Sequence, residues 1–152
     1  MIEEKLKKLR IVLPKPPKPV GSYAAYEITG NLVFISGQIS LKSDGTFIKG
    51  KAGKDLTLDQ SKEAAEVCCL NMIAQLKNAC GGDLNKVKKC VKITGYVNST
   101  DDFTEQPQVI NGASDLIAKI FSEKGMHTRA AVSTNSLPLG VAVEVDAIFE
   151  LN

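Results

Sequence analysis

Apolar and polar positions change their rhythm several times along the chain, and each rhythm predicts an element. Ile2, Leu6 and Leu9 are spaced by four and three residues, the repeat of a short amphipathic helix over 2–10. Four of the six prolines follow within Leu13-Pro14-Lys15-Pro16-Pro17-Lys18-Pro19. That run cannot continue a helix and predicts an extended, polyproline-like spacer laid over the surface. Residues 1–19 are therefore expected to be a helix and spacer ahead of one domain over 20–152. Tyr23 to Ile28 and Leu32 to Ile39 are β-rich runs around Thr29-Gly30-Asn31, the pattern of a hairpin. A further short strand is expected around Thr46 to Ile48, then a mobile loop at Gly50 to Gly53.

Thr57-Leu58-Asp59-Gln60 has the form of a capping box and Gly81-Gly82 that of a stop. Between them Ala65, Cys69, Met72, Leu76 and Ala79 mark the core face of one long helix. Val91, Ile93, Gly95 and Val97 alternate with polar neighbours as a half-buried strand does. A second helix is expected from about Gln106 to Glu123, with Ile110, Ala113, Ile117 and Ile120 on one face. Arg129 to Thr134 and Gly140 to Leu151 close the chain as strands joined through Leu137-Pro138-Leu139-Gly140. Two long helices cannot cover both faces of such a sheet, so the order predicts an α+β fold with both on one face. In the last strand Val141, Val143, Val145, Ala147 and Phe149 point one way and Ala142, Glu144, Asp146, Ile148 and Glu150 the other. The second face is mixed, which suits water or another subunit.

At 152 residues the chain can bury about two thirds of its surface in one core. Nineteen basic against seventeen acidic residues leave a charge of +2, and there is no Trp, so neither a phosphate-tracking groove nor a base-stacking platform is visible. No apolar run approaches a membrane span of about 18 residues, and the amino end is charged, so the chain reads as cytoplasmic. Cys68, Cys69, Cys80 and Cys90 are expected as reduced core thiols. With one histidine, His127, expected in an exposed loop, no metal centre is foreseen. Gly50-Lys51-Ala52-Gly53-Lys54 lacks the spacing of a phosphate loop.

A symmetric hairpin about Leu137 and Pro138 would bring Arg129 near Glu144 and Asp146. Such a group is either a cross-strand ion pair or a site for a small carboxylic acid, with the guanidinium gripping the acid and a carboxylate handling water. Spacing alone does not separate these readings.

Five segments occur in a telling order: Gly21-Ser22-Tyr23; Asn31-Leu32-Val33-Phe34-Ile35-Ser36-Gly37-Gln38-Ile39; Asp102-Phe103 with Asn111; Thr128-Arg129-Ala130-Ala131-Val132; and Leu137-Pro138-Leu139-Gly140-Val141-Ala142-Val143-Glu144-Val145. Together they resemble the RidA (YjgF) family of reactive-intermediate deaminases, also labelled the L-PSP endoribonuclease family. The resemblance implies a chorismate-mutase-like α+β fold, a homotrimer, and clefts between subunits. It implies that Arg129 anchors a substrate carboxylate and Glu144 orients water, with Tyr23, Ser36, Gly37, Asn111 and the Ala131 amide lining the cleft. The implied reaction is hydrolysis of 2-imino or enamino acids to 2-oxo acids and ammonia, for which no cofactor is required. Many members carry Cys where this chain has Ala131, and Pro-Tyr-Ser-Gln where it has Ser22-Tyr23-Ala24-Ala25. Those departures mark a divergent subgroup and keep in view a non-catalytic trimer that binds small carboxylates, while the family's other label keeps an endoribonuclease as a further alternative.

Overall fold

The computed structural model describes residues 1–152. A short helix α1 (Ile2–Lys8) precedes the strands β1 (Tyr26–Thr29) and β2 (Leu32–Ile39) and the long helix α2 (Leu58–Ala79). Strand β3 (Val87–Asn98), helix α3 (Gln106–Phe121), and strands β4 (Thr128–Thr134) and β5 (Val143–Leu151) complete the chain. The strands form one mixed sheet in the order β1-β2-β5-β3-β4. Both long helices lie on one face, over the inward row Val143, Val145, Ala147 and Phe149 of β5, all buried.

Helix α2 begins where the sequence says it should. Thr57 Oγ1 accepts the Gln60 amide at 3.1 Å and Gln60 Oε1 accepts the Thr57 amide at 2.9 Å, so two orphan donors are satisfied reciprocally. It stops at Gly81, whose φ of +67° suits glycine, while Gly82 donates back to the Lys77 carbonyl at 2.9 Å. Against α3 the helices nearly touch at Gly112, where a Cβ would run into the Lys62 carbonyl oxygen. The buried Asn71 amide of α2 donates to the carbonyls of Ile39 (3.2 Å) and Leu41 (2.9 Å), holding the end of β2. Helix α1 adds Ile2 and Leu6 to the core, and the Pro17 carbonyl of the spacer accepts from the buried Gln75 at 2.6 Å.

Three expectations fail. Strands β4 and β5 are not a hairpin: β4 pairs parallel with β3, and β5 inserts between β2 and β3, antiparallel to both. The connecting loop is held elsewhere, through Ala142 to Ile48 (3.0 Å) and Asn98 to Ala142 (2.9 Å). Around Thr46 to Ile48 there is no strand, only isolated bridges such as Leu41 to Phe47. The Gly50 to Gly53 stretch is tied down, since Ala52 is buried and exchanges hydrogen bonds with Asn98 (2.9 Å) and Thr100 (3.1 Å).

All four cysteines are buried and free. Burial pushes each thiol up, that of Cys90 to about 12. No helix is long and apolar enough to cross a membrane.

Candidate functional site

The residues singled out in the sequence gather in two places, on opposite faces of the sheet. Glu144 sits on the open face of β5, opposite Tyr96 on one side and Ile39 on the other, beside an irregularity in β2 between Ile35 and Gln38. That irregularity brings Gly37 under the Glu144 side chain so closely that a Cβ at 37 would lie 2.5 Å from Oε2. Glycine is needed here for space, not for backbone conformation.

Two residues along the same face, Asp146 accepts the Tyr96 hydroxyl at 3.2 Å. Burial first, and then the neighbouring Asp146 charge, push the Glu144 carboxyl above its ordinary range. Burial also raises Asp146, and burial together with Asp146 raises the Tyr96 phenol.

Glu144 forms part of the wall of a cavity of about 320 Å³, shared with Val20, Tyr23, Gly37, Phe47 and Leu139. Tyr23 is half exposed there, and its hydroxyl accepts the Val20 amide at 3.3 Å. Ser36 does not face the cavity with a free hydroxyl. Its Oγ donates to the Ala24 carbonyl at 2.6 Å and its amide to the Ala25 carbonyl at 3.0 Å, so it fastens the segment that carries Tyr23.

Arg129 lies elsewhere. It is opposite Ile93, a fully buried residue under the helices, whereas Tyr96, the neighbour of Glu144, is three positions further along β3 and faces the other way. Between β4 and β5 runs the whole of β3, a lateral gap of roughly 10 Å. The expected closeness of Arg129 to Glu144 and Asp146 is therefore absent within one chain, and so is the ion pair. The carboxylates that do pair with cations are Glu3, Glu4 and Glu150.

The Arg129 guanidinium turns instead to α3, where its Nη1 donates to Asn111 Oδ1 at 2.7 Å and to Ser114 Oγ at 3.2 Å. Ala131 follows on the same face, half-buried against the core and opposite Gly95. His127 is not a free loop residue: Nδ1 is 2.6 Å from the Gly125 carbonyl and Nε2 is 2.9 Å from Ser114 Oγ.

Sequence reasoning thus missed Ser114 and the contacts of His127, and it overlooked Tyr96 and the effect of Asp146 on Glu144. The signals were small: Asn111 and Ser114 are three apart on a helix, and His127 and Arg129 two apart in extended chain, so each pair shares a face. No group of three or more His, Cys, Asp or Glu is arranged to hold a metal ion.

Comparison with known proteins agrees with this architecture. A family profile described as "YjgF/chorismate mutase-like, putative endoribonuclease" matches residues 3–151. The chain is 43% identical over 148 residues to Protein TCP17 of Trypanosoma cruzi, covering 97% of this chain and 92% of that one. It is 28% identical to the 2-iminobutanoate/2-iminopropanoate deaminase of Mus musculus, over 88% of this chain and 84% of that one. Among solved structures, Atu1372 of Agrobacterium tumefaciens, described as of unknown function, superposes with a TM-score of 0.89 at 43% identity, covering 99% and 91% of the two chains. A Shewanella oneidensis protein superposes at 0.94 with 33% identity and 99% of both chains covered.

Proposed function

The chain belongs to the YjgF/chorismate mutase-like family, and from that premise we propose that it hydrolyses small 2-imino or enamino acids to 2-oxo acids and ammonia in clefts between the subunits of a homotrimer. The observation that carries this reading is the division of the site. Glu144 has a basic, partly desolvated carboxylate beside a cavity that Lys18 also lines, yet it makes no salt bridge, and Arg129 makes none either. A cyclic assembly that sets the β4 edge of one protomer against the open face of the next supplies each half with what it lacks.

The chemistry asked of the site is modest. The iminium carbon is already electrophilic, so water adds to it once its proton has somewhere to go. Glu144 takes that proton, and its raised pKa makes it the better base. The proton then passes to the nitrogen, and as the C–N bond breaks the carbinol hydroxyl gives its proton to Glu144, which hands it to the departing ammonia to make ammonium. The substrate's carboxylate stays on Arg129, so the reacting carbon is held in place through the addition and the cleavage. The 2-oxo acid retains the carboxylate, and charge balances with the ammonium released.

The test generates imines in situ with an amino-acid oxidase and follows 2-oxo acid and ammonia for the wild type, Arg129→Ala and Glu144→Gln. Acceleration by the wild type and background rates in both folded variants support the reading. A wild-type rate equal to buffer across several imino acids overturns it.

A further inference from the structure

Resting on that reading, we infer that His127 and Ser114 are positioning residues that aim the Arg129 guanidinium at a substrate carboxylate. A backbone carbonyl only accepts, so the 2.6 Å contact between Gly125 O and His127 Nδ1 puts the proton on Nδ1. In the neutral ring Nε2 is then an acceptor, and the 2.9 Å contact with Ser114 draws the hydroxyl proton toward it. With its hydrogen committed to the ring, Ser114 Oγ has lone pairs left over, and one accepts from Arg129 Nη1 at 3.2 Å. The sequence of donors runs one way, from arginine to serine to histidine to carbonyl. Asn111 Oδ1 takes the other Nη1 hydrogen at 2.7 Å.

Both ends of this relay are rigid. Gly125 packs so tightly on α3 that a Cβ there would lie 2.8 Å from the Ile117 carbonyl oxygen. Asn111 and Ser114 ride at the margin of a helix whose adjoining face, with Ile110, Ala113 and Ile117, is fully buried. The guanidinium, by contrast, belongs to an exposed residue at the sheet edge. Hydrogen bonds to an exposed arginine add little stability, so fold maintenance is a poor account of Asn111 and Ser114 converging on it with His127 behind Ser114. What they do is fix a plane. Nη1 is consumed, and the edge formed by Nε and Nη2 has no partner in the chain. That edge is the fork that grips a carboxylate with two parallel hydrogen bonds. Holding it still in the free protein removes an ordering cost from binding.

The experiment titrates 2-oxobutanoate, a carboxylate of the product class, into wild type, Arg129→Ala, Ser114→Ala, Ser114→Thr, His127→Ala and His127→Gln by calorimetry, with melting curves and imine hydrolysis alongside. Arg129→Ala should lose binding. Ser114→Ala should weaken it by about tenfold, the scale of one lost charge-assisted hydrogen bond, and raise KM by a similar factor while kcat stays within about twofold. His127→Ala should do the same more weakly. Ser114→Thr keeps the hydroxyl and His127→Gln keeps an acceptor near the Nε2 position, so both should recover most of the affinity.

Wild-type affinity in Ser114→Ala and His127→Ala, or losses that follow melting temperature and ignore the two rescuing variants, would overturn the inference. So would a wild type that shows no Arg129-dependent binding. If the wild type binds through Arg129 but hydrolyses no imine, the deaminase reading falls and the affinities alone decide the positioning role.

Discussion

The surroundings of Glu144 and those of Arg129 are built by opposite physical means. Glu144 is prepared by packing: Gly37 makes room for it, burial and Asp146 raise its pKa, and apolar groups such as Phe47 and Leu139 share its cavity. Arg129 stays exposed and is prepared by the hydrogen bonds it donates to α3. A base gains from losing water because its proton affinity rises, whereas an arginine keeps its charge wherever it sits and needs only to be aimed. The two preparations also occupy different faces of one sheet, which is why the proposed reaction needs a second subunit to bring them together.

The strongest test of this division mixes two disabled chains. Arg129→Ala and Glu144→Gln should each lose about a hundredfold or more in hydrolysis. Refolded together at equal amounts, they should recover about a quarter of wild-type activity, the share of clefts that receive an intact Arg129 from one chain and an intact Glu144 from the next. No recovery would mean that both groups serve from the same chain.

Gly37→Ala bears on the packed region alone. Its Cβ would displace the far end of a flexible side chain, so melting should move little while kcat falls by about tenfold. Affinity for 2-oxobutanoate at Arg129 should survive.

The pH dependence sharpens the contrast further. Because burial and Asp146 hold Glu144 above its ordinary pKa, the acid limb of kcat should lie above the normal glutamate range, and Asp146→Asn should move it down. Stability follows the same sign: a raised folded-state pKa contributes stability below the unfolded value that is lost as pH rises through the folded one. Glu144→Gln should therefore melt above wild type at neutral pH, with the difference closing below about pH 4.

The smallest effect is expected from Thr57→Ala, which removes the α2 cap and should cost about 1 kcal/mol in urea unfolding. It should leave the balance between the two regions unaltered.

What local pattern determines was legible. The capping box, the glycine stop and the alternation in β5 each concern a few neighbouring residues, and each is realised. Both helices on one face followed from counting layers. The partner of β4 was not legible, because pairing across the sheet leaves little mark on either strand. The loop between β4 and β5 looked like a hairpin turn, yet Ala142 is buried and bonded to distant segments. One sign of the true arrangement was present in β4 itself: Arg129-Ala130-Ala131-Val132-Ser133 lacks the sharp alternation of β5, as suits an edge strand. The relay behind Arg129 was invisible for the same reason, since its members come from a helix, a turn and a strand.

The burial of the four thiols has a consequence for the protein's own durability. Imines and enamines are reactive compounds, and a thiolate is the side chain most ready to form adducts with electrophiles. Here each sulfur is both screened from solvent and held protonated by burial. Two residues on from Arg129, Ala131 offers no sulfur at all. Under the proposed reaction the protein would in this way be chemically mute toward such molecules at sulfur, and its working lifetime would not be limited by its own alkylation.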